Sequence, residues 1–176
     1  AVAIRAALDR AGVDPARIDY VIMGQVLRAG TGQITARQAA IAAGIPKEVP
    51  ALNVDKVCLS GMNAIALADQ LIRAGEVDLV VAGGMESMTN APYVLPAARD
   101  GSRLGHTPMI DSMQHDGLWS TFAEMTMGEA SDRVNADLGI DREHVRHAER
   151  EAAEFQERNR HRIRIRRRVH HRLQHA

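Results

Sequence analysis

The chain has 176 residues, enough for one domain with a real core, and 22 Lys+Arg balance 22 Asp+Glu to a formal net charge of zero. One Trp, two Tyr and two Phe leave the core to aliphatic side chains, and a single cysteine excludes an intrachain disulfide framework. No apolar run has the length of a membrane-spanning helix, and the cysteine usage fits a reducing compartment, so a cytoplasmic location is expected.

The opening residues, Ala-Val-Ala-Ile-Arg-Ala-Ala-Leu, carry neither a starting Met nor a signal-peptide plan. They read as the middle of a helix, so the chain is expected to start inside a longer protein. Residues 1–11 have apolar positions at helical spacing, ended by Gly12 as a C-cap. Tyr20 to Met23 is a short apolar strand ending at Gly24. Thr35 to Ala43 is an Ala-rich helix closed by Gly44 and Pro46. Ala51 to Val57 reads as a second strand. Ala64, Leu67, Ala68 and Leu71 mark one face of a helix over Ala64 to Ala74 that stops at Gly75. Val77 to Val81 is a third strand, leading into Ala82-Gly83-Gly84. Apolar strands separated by helices predict an α/β layered core.

From Met85 to Leu118 no period persists, and six of the eight Met fall between residues 85 and 127. A loop of that length inside a compact domain is usually functional. Its methionines are either core filler or the lining of an adaptable acyl pocket. A helix returns over Met127 to Leu138, capped by Gly139, and another begins after Asp141.

The zero net charge hides an asymmetry. Residues 1–145 hold 12 Lys+Arg and 18 Asp+Glu, a net of −6. Residues 146–176 hold 10 Arg, no Lys and 4 Glu, a net of +6, with five of the eight His. Such a break marks a boundary. The run Arg158 to Arg172 alternates Arg with Ile and His and has little apolar material to bury. A tail of this kind could hold nucleic acid by charge, yet it lacks interleaved aromatics and any helix-turn-helix signal, so no nucleic-acid partner is expected.

Cys58 is the chemically informative residue. It lies in Asn53-Val-Asp-Lys-Val-Cys58-Leu-Ser60-Gly61-Met62, where an extended stretch gives way to a helical one. Unpaired N–H groups and the dipole at a helix N-terminus favour a thiolate, the nucleophilic form. A lone cysteine is more often a small buried hydrophobe. Ser60 and Gly61 weigh toward catalysis, since small residues let a helix start tightly and let a substrate carbonyl approach backbone N–H groups. In Ala82-Gly83-Gly84-Met85-Glu86-Ser87-Met88 the glycines read as a tight turn rather than a phosphate cradle, and Glu86 as a solvated or capping residue rather than a base. His106 and His115, with Asp111 and Asp116 nearby, match no common metal spacing and are taken as surface residues; no metal site is expected.

Taken together these residues resemble the thiolase family, the acetyl-CoA acetyltransferases and 3-ketoacyl-CoA thiolases. The resemblance runs over most of residues 1 to about 145. It rests on Tyr20 to Leu27, on Gly32-Gln33-Ile-Thr-Ala36-Arg37-Gln38-Ala39-Ala40, on the C-x-S-G pattern from Cys58 to Gly61, on Ala82 to Met88, on Pro108 to Asp111 with Asp116 to Leu118, and on Met127-Gly128.

The resemblance implies a partial layered α-β-α thiolase-like fold. In it, residues 1–87 form the N-terminal core with its first strand missing, residues 88–145 form part of a loop domain, and residues 146–176 form a non-native or disordered tail. It implies that Cys58, at the start of a buried helix, attacks an acyl-CoA to form an acyl-thioester, with its own backbone N–H in an oxyanion hole. A second acetyl-CoA then condenses to acetoacetyl-CoA, or free CoA cleaves a 3-ketoacyl-CoA. Met127 and Gly128 are implied to touch substrate. Acyl-CoA and CoA are the implied partners, a homo-oligomer the implied assembly, and no cofactor or membrane is required.

The departures are also specific. The family's catalytic His lies in a Gly-His-Pro run, whereas Gly105-His106-Thr107 lacks the Pro. Its second catalytic cysteine has no counterpart here. Where some members read His-Met-Gly, this chain reads Thr126-Met127-Gly128. The abrupt change after Val145 is what a shifted reading frame near codon 146 of a G+C-rich gene would give. The alternative expectation is therefore a non-catalytic thiolase fragment that keeps the nucleophile segment without its base.

Overall fold

The computed structural model describes residues 1–155. Most of the Arg- and His-rich tail, residues 156–176, lies outside the described residues. The chain divides into two compact units, Ala1–Trp119 and the residues from Ser120 onward.

The first unit is built on three parallel strands, β1 (Tyr20–Gly24), β2 (Ala51–Val54) and β3 (Val80–Gly84), in the order β2-β1-β3. Val21 to Gly24 pair with Ala51 to Val54 on one side, and Tyr20 to Gly24 pair with Val80 to Gly84 on the other. The central strand is therefore covered on both faces, and its alternation divides the core. Val21 and Met23 pack with Ile4 and Leu8 of α1 (Val2–Ala11) and with Ala36 and Ala40 of α2 (Thr35–Ala42). Ile22, on the opposite face, packs with Ala64 and Ala68 of α3 (Ser60–Arg73). Helix, sheet and helix thus form three layers, with side chains one apart along β1 serving different ones. The expected α/β layering is present.

Boundaries differ from the expectations where side chains intercept the backbone. The second strand, expected to reach Val57, stops at Val54. Just beyond it the Asp55 carboxylate accepts the Val57 N–H at 3.0 Å, a local turn in place of a ladder bond. The third strand starts at Val80 rather than Val77, because the N–H groups of Asp78 and Leu79 both donate to the Asp19 carboxylate, at 3.0 and 2.8 Å. It then runs extended through Gly83 and Gly84, which read as a turn in the sequence. The α3 helix begins at Ser60, four residues before the expected start. Gly12 caps α1 in the left-handed conformation (φ 65), as its position predicts.

The helix that follows Cys58 has one apolar face against the sheet and another open in this chain, where Met62, Ile65 and Ile72 are 69%, 58% and 44% exposed.

The stretch from Met85 to Leu118 carries only short elements: β4 (Tyr93–Val94) paired antiparallel with β5 (Ile110–Asp111), turns of 3-10 helix, and a π-helical segment, Met113–Leu118. The buried Ser112 hydroxyl donates to Pro92 C=O at 2.5 Å beside that pairing. Further on, β6 (Trp119–Ser120) pairs with β7 (Met125–Thr126). Next comes α4 (Met127–Asp137), and a further helix starts at residue 142 and runs to 155, where the described residues end. Among the described residues no helix is long and apolar enough to cross a membrane.

The start of α4 is held by a reciprocal cap. Glu129 N–H donates to the Thr126 hydroxyl at 3.3 Å, while the Glu129 carboxylate accepts the Thr126 hydroxyl at 2.7 Å and the Thr126 N–H at 2.8 Å. The hydroxyl bond first, and then the backbone bond, hold Glu129 below the ordinary glutamate range. A carboxyl depressed in the folded state adds stability that is fully present above its unfolded pKa and is lost as pH falls through the folded value. A side-chain NMR titration should therefore place the Glu129 inflection below that of a glutamate in an unstructured peptide. The first amides of α4 should shift with it, and Thr126→Ala, which removes the hydroxyl bond but keeps the backbone one, should move it part of the way back toward the ordinary range.

Candidate active site

The C-terminal ends of β1 and β3 and the first turn of α3 meet at three glycines. A Cβ placed on Gly24 would lie 2.4 Å from the Ser60 carbonyl carbon and 2.5 Å from the Gly61 nitrogen. One on Gly84 would lie 3.4 Å from Gly61 Cα and 3.5 Å from Gly24 O. Only glycine at the strand end lets the helix start sit so close.

Cys58 precedes that helix start and is exposed. It faces a cavity of about 430 Å³ lined by Gly24, Val26 and Leu27 after β1, by Gly84, Met85 and Met88 after β3, and by Gly117 and Leu118. The cavity lies at the carboxyl ends of the parallel strands, the usual place for ligands in open α/β sheets. Its methionine and leucine lining is apolar, and the methionines from the period-free stretch contribute to it.

The turn that carries Cys58 is tightly bonded. Val57, a β-branched residue, lies in the left-handed region (φ 47). Ser60, 4% exposed, accepts the Lys56 N–H at 2.8 Å on its hydroxyl, which donates to Val57 C=O at 2.6 Å.

Across the cavity the Glu86 carboxylate accepts the N–H groups of Val26 and Leu27, at 2.8 and 3.2 Å. Glu86 is exposed but caps no helix, the role weighed for it in the sequence; its carboxylate joins loop segments about 60 residues apart. Gln25, 6% exposed, supports the same loop: its amide donates to Leu27 C=O at 3.3 Å and its carbonyl oxygen accepts the Thr35 hydroxyl. Asn53 donates to Thr35 Oγ1 at 2.8 Å and accepts the Ala36 N–H at 3.1 Å, capping α2 from the neighbouring strand. Sequence reasoning passed over Gln25 and Asn53 as functional supports. Their only signal was a polar residue at the end of, or inside, an apolar strand.

Met127 and Gly128 open α4 in the second unit, with Met127 45% exposed, while the Cys58 cavity is formed wholly by residues of the first. His106 is exposed and His115 lies on the Met113–Leu118 segment. Among the described residues no three His, Cys, Asp or Glu side chains come together to hold a metal ion.

The thiolase N-terminal domain family matches residues 1–157. The chain belongs to the thiolase family. It is 56% identical over 135 residues to a probable acetyl-CoA acetyltransferase of Mycolicibacterium smegmatis, covering 77% of this chain and 35% of that protein. It is 52% identical over 143 residues to an acetyl-CoA acetyltransferase of Cupriavidus necator, covering 81% of this chain and 36% of that protein. Among solved structures, a thiolase from Ascaris suum in complex with coenzyme A aligns with a TM-score of 0.75 and 37% identity, over 80% of this chain and 36% of that one. The chain thus spans about a third of the length of the curated thiolases it matches. The family match also runs past Val145, where the change in composition begins.

The glycine junction and the Glu86 clamp yield separate expectations. Gly24→Ala forces a methyl into the Ser60–Gly61 backbone and should destabilise the chain by about 1–3 kcal/mol in a denaturant melt. Glu86→Ala removes the shared acceptor of the half-buried Val26 and buried Leu27 N–H groups and should cost about 1–3 kcal/mol in the same measurement.

Proposed function

We propose that this chain carries the acyl-accepting part of an acetyl-CoA acetyltransferase. The observation that carries the reading is Cys58 at the foot of α3, its neighbours lining an apolar cavity at the strand ends. The names of its relatives and the coenzyme A bound by the Ascaris suum thiolase support the substrate class.

In this reading the Cys58 thiolate attacks the carbonyl carbon of acetyl-CoA. The developing oxyanion is met by backbone N–H groups at the helix start, that of Cys58 among them. Collapse of the tetrahedral adduct expels CoA as its thiolate and leaves an acetyl-thioester on Cys58. The small acetyl group then rests against the cavity's apolar lining. In the second half-reaction the α-carbon of another acetyl-CoA, after losing a proton, attacks that thioester, breaks its C–S bond and expels the Cys58 thiolate, giving acetoacetyl-CoA; thiolysis runs the sequence backward. The thioester supplies the activation, so no cofactor enters the scheme.

The proton transfers need a base and an acid that this sequence does not supply in the family's pattern: it has one cysteine and no Gly-His-Pro run. The proposal for the chain as it stands is therefore acylation without turnover. The second reading, a non-catalytic fragment, is favoured by the same two observations. Residues 88–145 are proposed as part of a loop domain with Met127 and Gly128 on its substrate side, the assembly as a homo-oligomer, and the setting as the cytoplasm.

Incubation with acetyl-CoA followed by intact-mass analysis should show one acetyl group per chain, removed by hydroxylamine and absent in Cys58→Ala. Absence of the adduct would refute the acyl-accepting reading, and release of acetoacetyl-CoA would refute acylation without turnover.

A further inference from the structure

Val57 is a β-branched residue at φ 47, a conformation that such residues adopt only when their surroundings impose it. Four hydrogen bonds impose it here. The Asp55 carboxylate accepts the Val57 N–H at 3.0 Å from an exposed position. The Ser60 N–H donates to Val57 C=O at 3.1 Å as the helix begins. The Ser60 hydroxyl accepts from Lys56 N–H at 2.8 Å and donates to Val57 C=O at 2.6 Å. With 4% of Ser60 exposed, water does not readily replace the hydroxyl.

The Val57 carbonyl and the Cys58 N–H belong to one planar trans peptide, so they point in opposite directions. Fixing that carbonyl toward Ser60 fixes the Cys58 N–H away from it and sets the Cα from which the thiol departs. We propose that Ser60 is a positioning residue: its buried hydroxyl locks the strained Val57–Cys58 peptide and thereby aims the Cys58 N–H and thiol. The proposal deepens, and rests on, the reading of Cys58 as the acyl acceptor. Loss of the hydroxyl frees Val57 to relax to negative φ, and the peptide turns with it. Glycine at position 57 would remove the strain, because glycine occupies positive φ without penalty. The turn would then need the latch far less.

The test uses the full chain as parent, Ser60→Ala, Val57→Gly and the double variant. Backbone carbon shifts read the conformation at residue 57. Acetyl transfer from acetyl-CoA reads the aim of Cys58, and iodoacetamide, applied at alkaline pH where the thiol is fully ionised, reads its exposure. Ser60→Ala should move the Val57 shifts out of the left-handed range and slow acetylation about tenfold, as expected for one buried hydrogen bond. Its iodoacetamide rate should hold, and the double variant should recover acetylation toward the parent rate.

Unchanged Val57 shifts in Ser60→Ala, or a double variant as slow as Ser60→Ala, would overturn the latch. If the parent takes up no acetyl group, the acyl-acceptor reading fails while the Val57 shifts still decide the latch. Should Ser60→Ala not fold, amide exchange in the parent decides: Lys56 N–H, bonded to the Ser60 hydroxyl, should be protected, and exchange at the unprotected rate would overturn the proposal.

Discussion

The geometry of the first unit depends on backbone meeting backbone where β1, β3 and α3 converge. Any side chain at Gly24 would occupy the space of the Ser60–Gly61 peptide, 2.4–2.7 Å away. Because no side chain intervenes, the first turn of α3 rests almost on the strand ends. The residues just before it, Val57 and Cys58, are carried to the mouth of the crevice those ends create. A helix one side chain further out would leave the cysteine facing open solvent, without the methionine and leucine walls.

The layers follow from the same crowding. Ala64 and Ala68, both small, are the buried residues by which α3 approaches Ile22, just as Ala36 and Ala40 bring α2 against Val21 and Met23. An aliphatic protein with few aromatics can pack this way because its small residues sit at the crossing points, and the interior needs no large rings to fill it. Polar anchors then join segments that apolar contacts alone would let slide. Asp19 ties the start of β3 to the entry of β1, Asn53 caps α2 from β2, and Glu86 holds the loop after β1.

Much of this was legible in the sequence. The helices and the central strand announce themselves by period, and Gly12 and Gly139 by their place after a periodic run. The motif around Cys58 and the Ala82–Met88 run point to the family from the residues alone. What was not legible has a common cause. The end of β2 and the start of β3 are set by hydrogen bonds of Asp55 and Asp19, and the turn that leads into α3 by those of Ser60, short polar side chains whose partners are backbone groups. Such choices leave no periodic trace. The Gly83–Gly84 pair misled for the opposite reason. Glycines following a strand usually turn, but here they stay extended because a helix lies against them. Met62, Ile65 and Ile72 are exposed on α3, and nothing in its 3.6-residue pattern separates them from the buried side.

One practical property follows from the cysteine count. The sequence holds a single thiol, and the structure leaves it accessible at the edge of an apolar cavity. Within these 176 residues a fluorophore, spin label or crosslinker aimed at cysteine would attach at one address. It would sit beside a strained peptide and the rim of the crevice. The spectroscopic behaviour of a tag at Cys58 would report the polarity and crowding of that one corner directly.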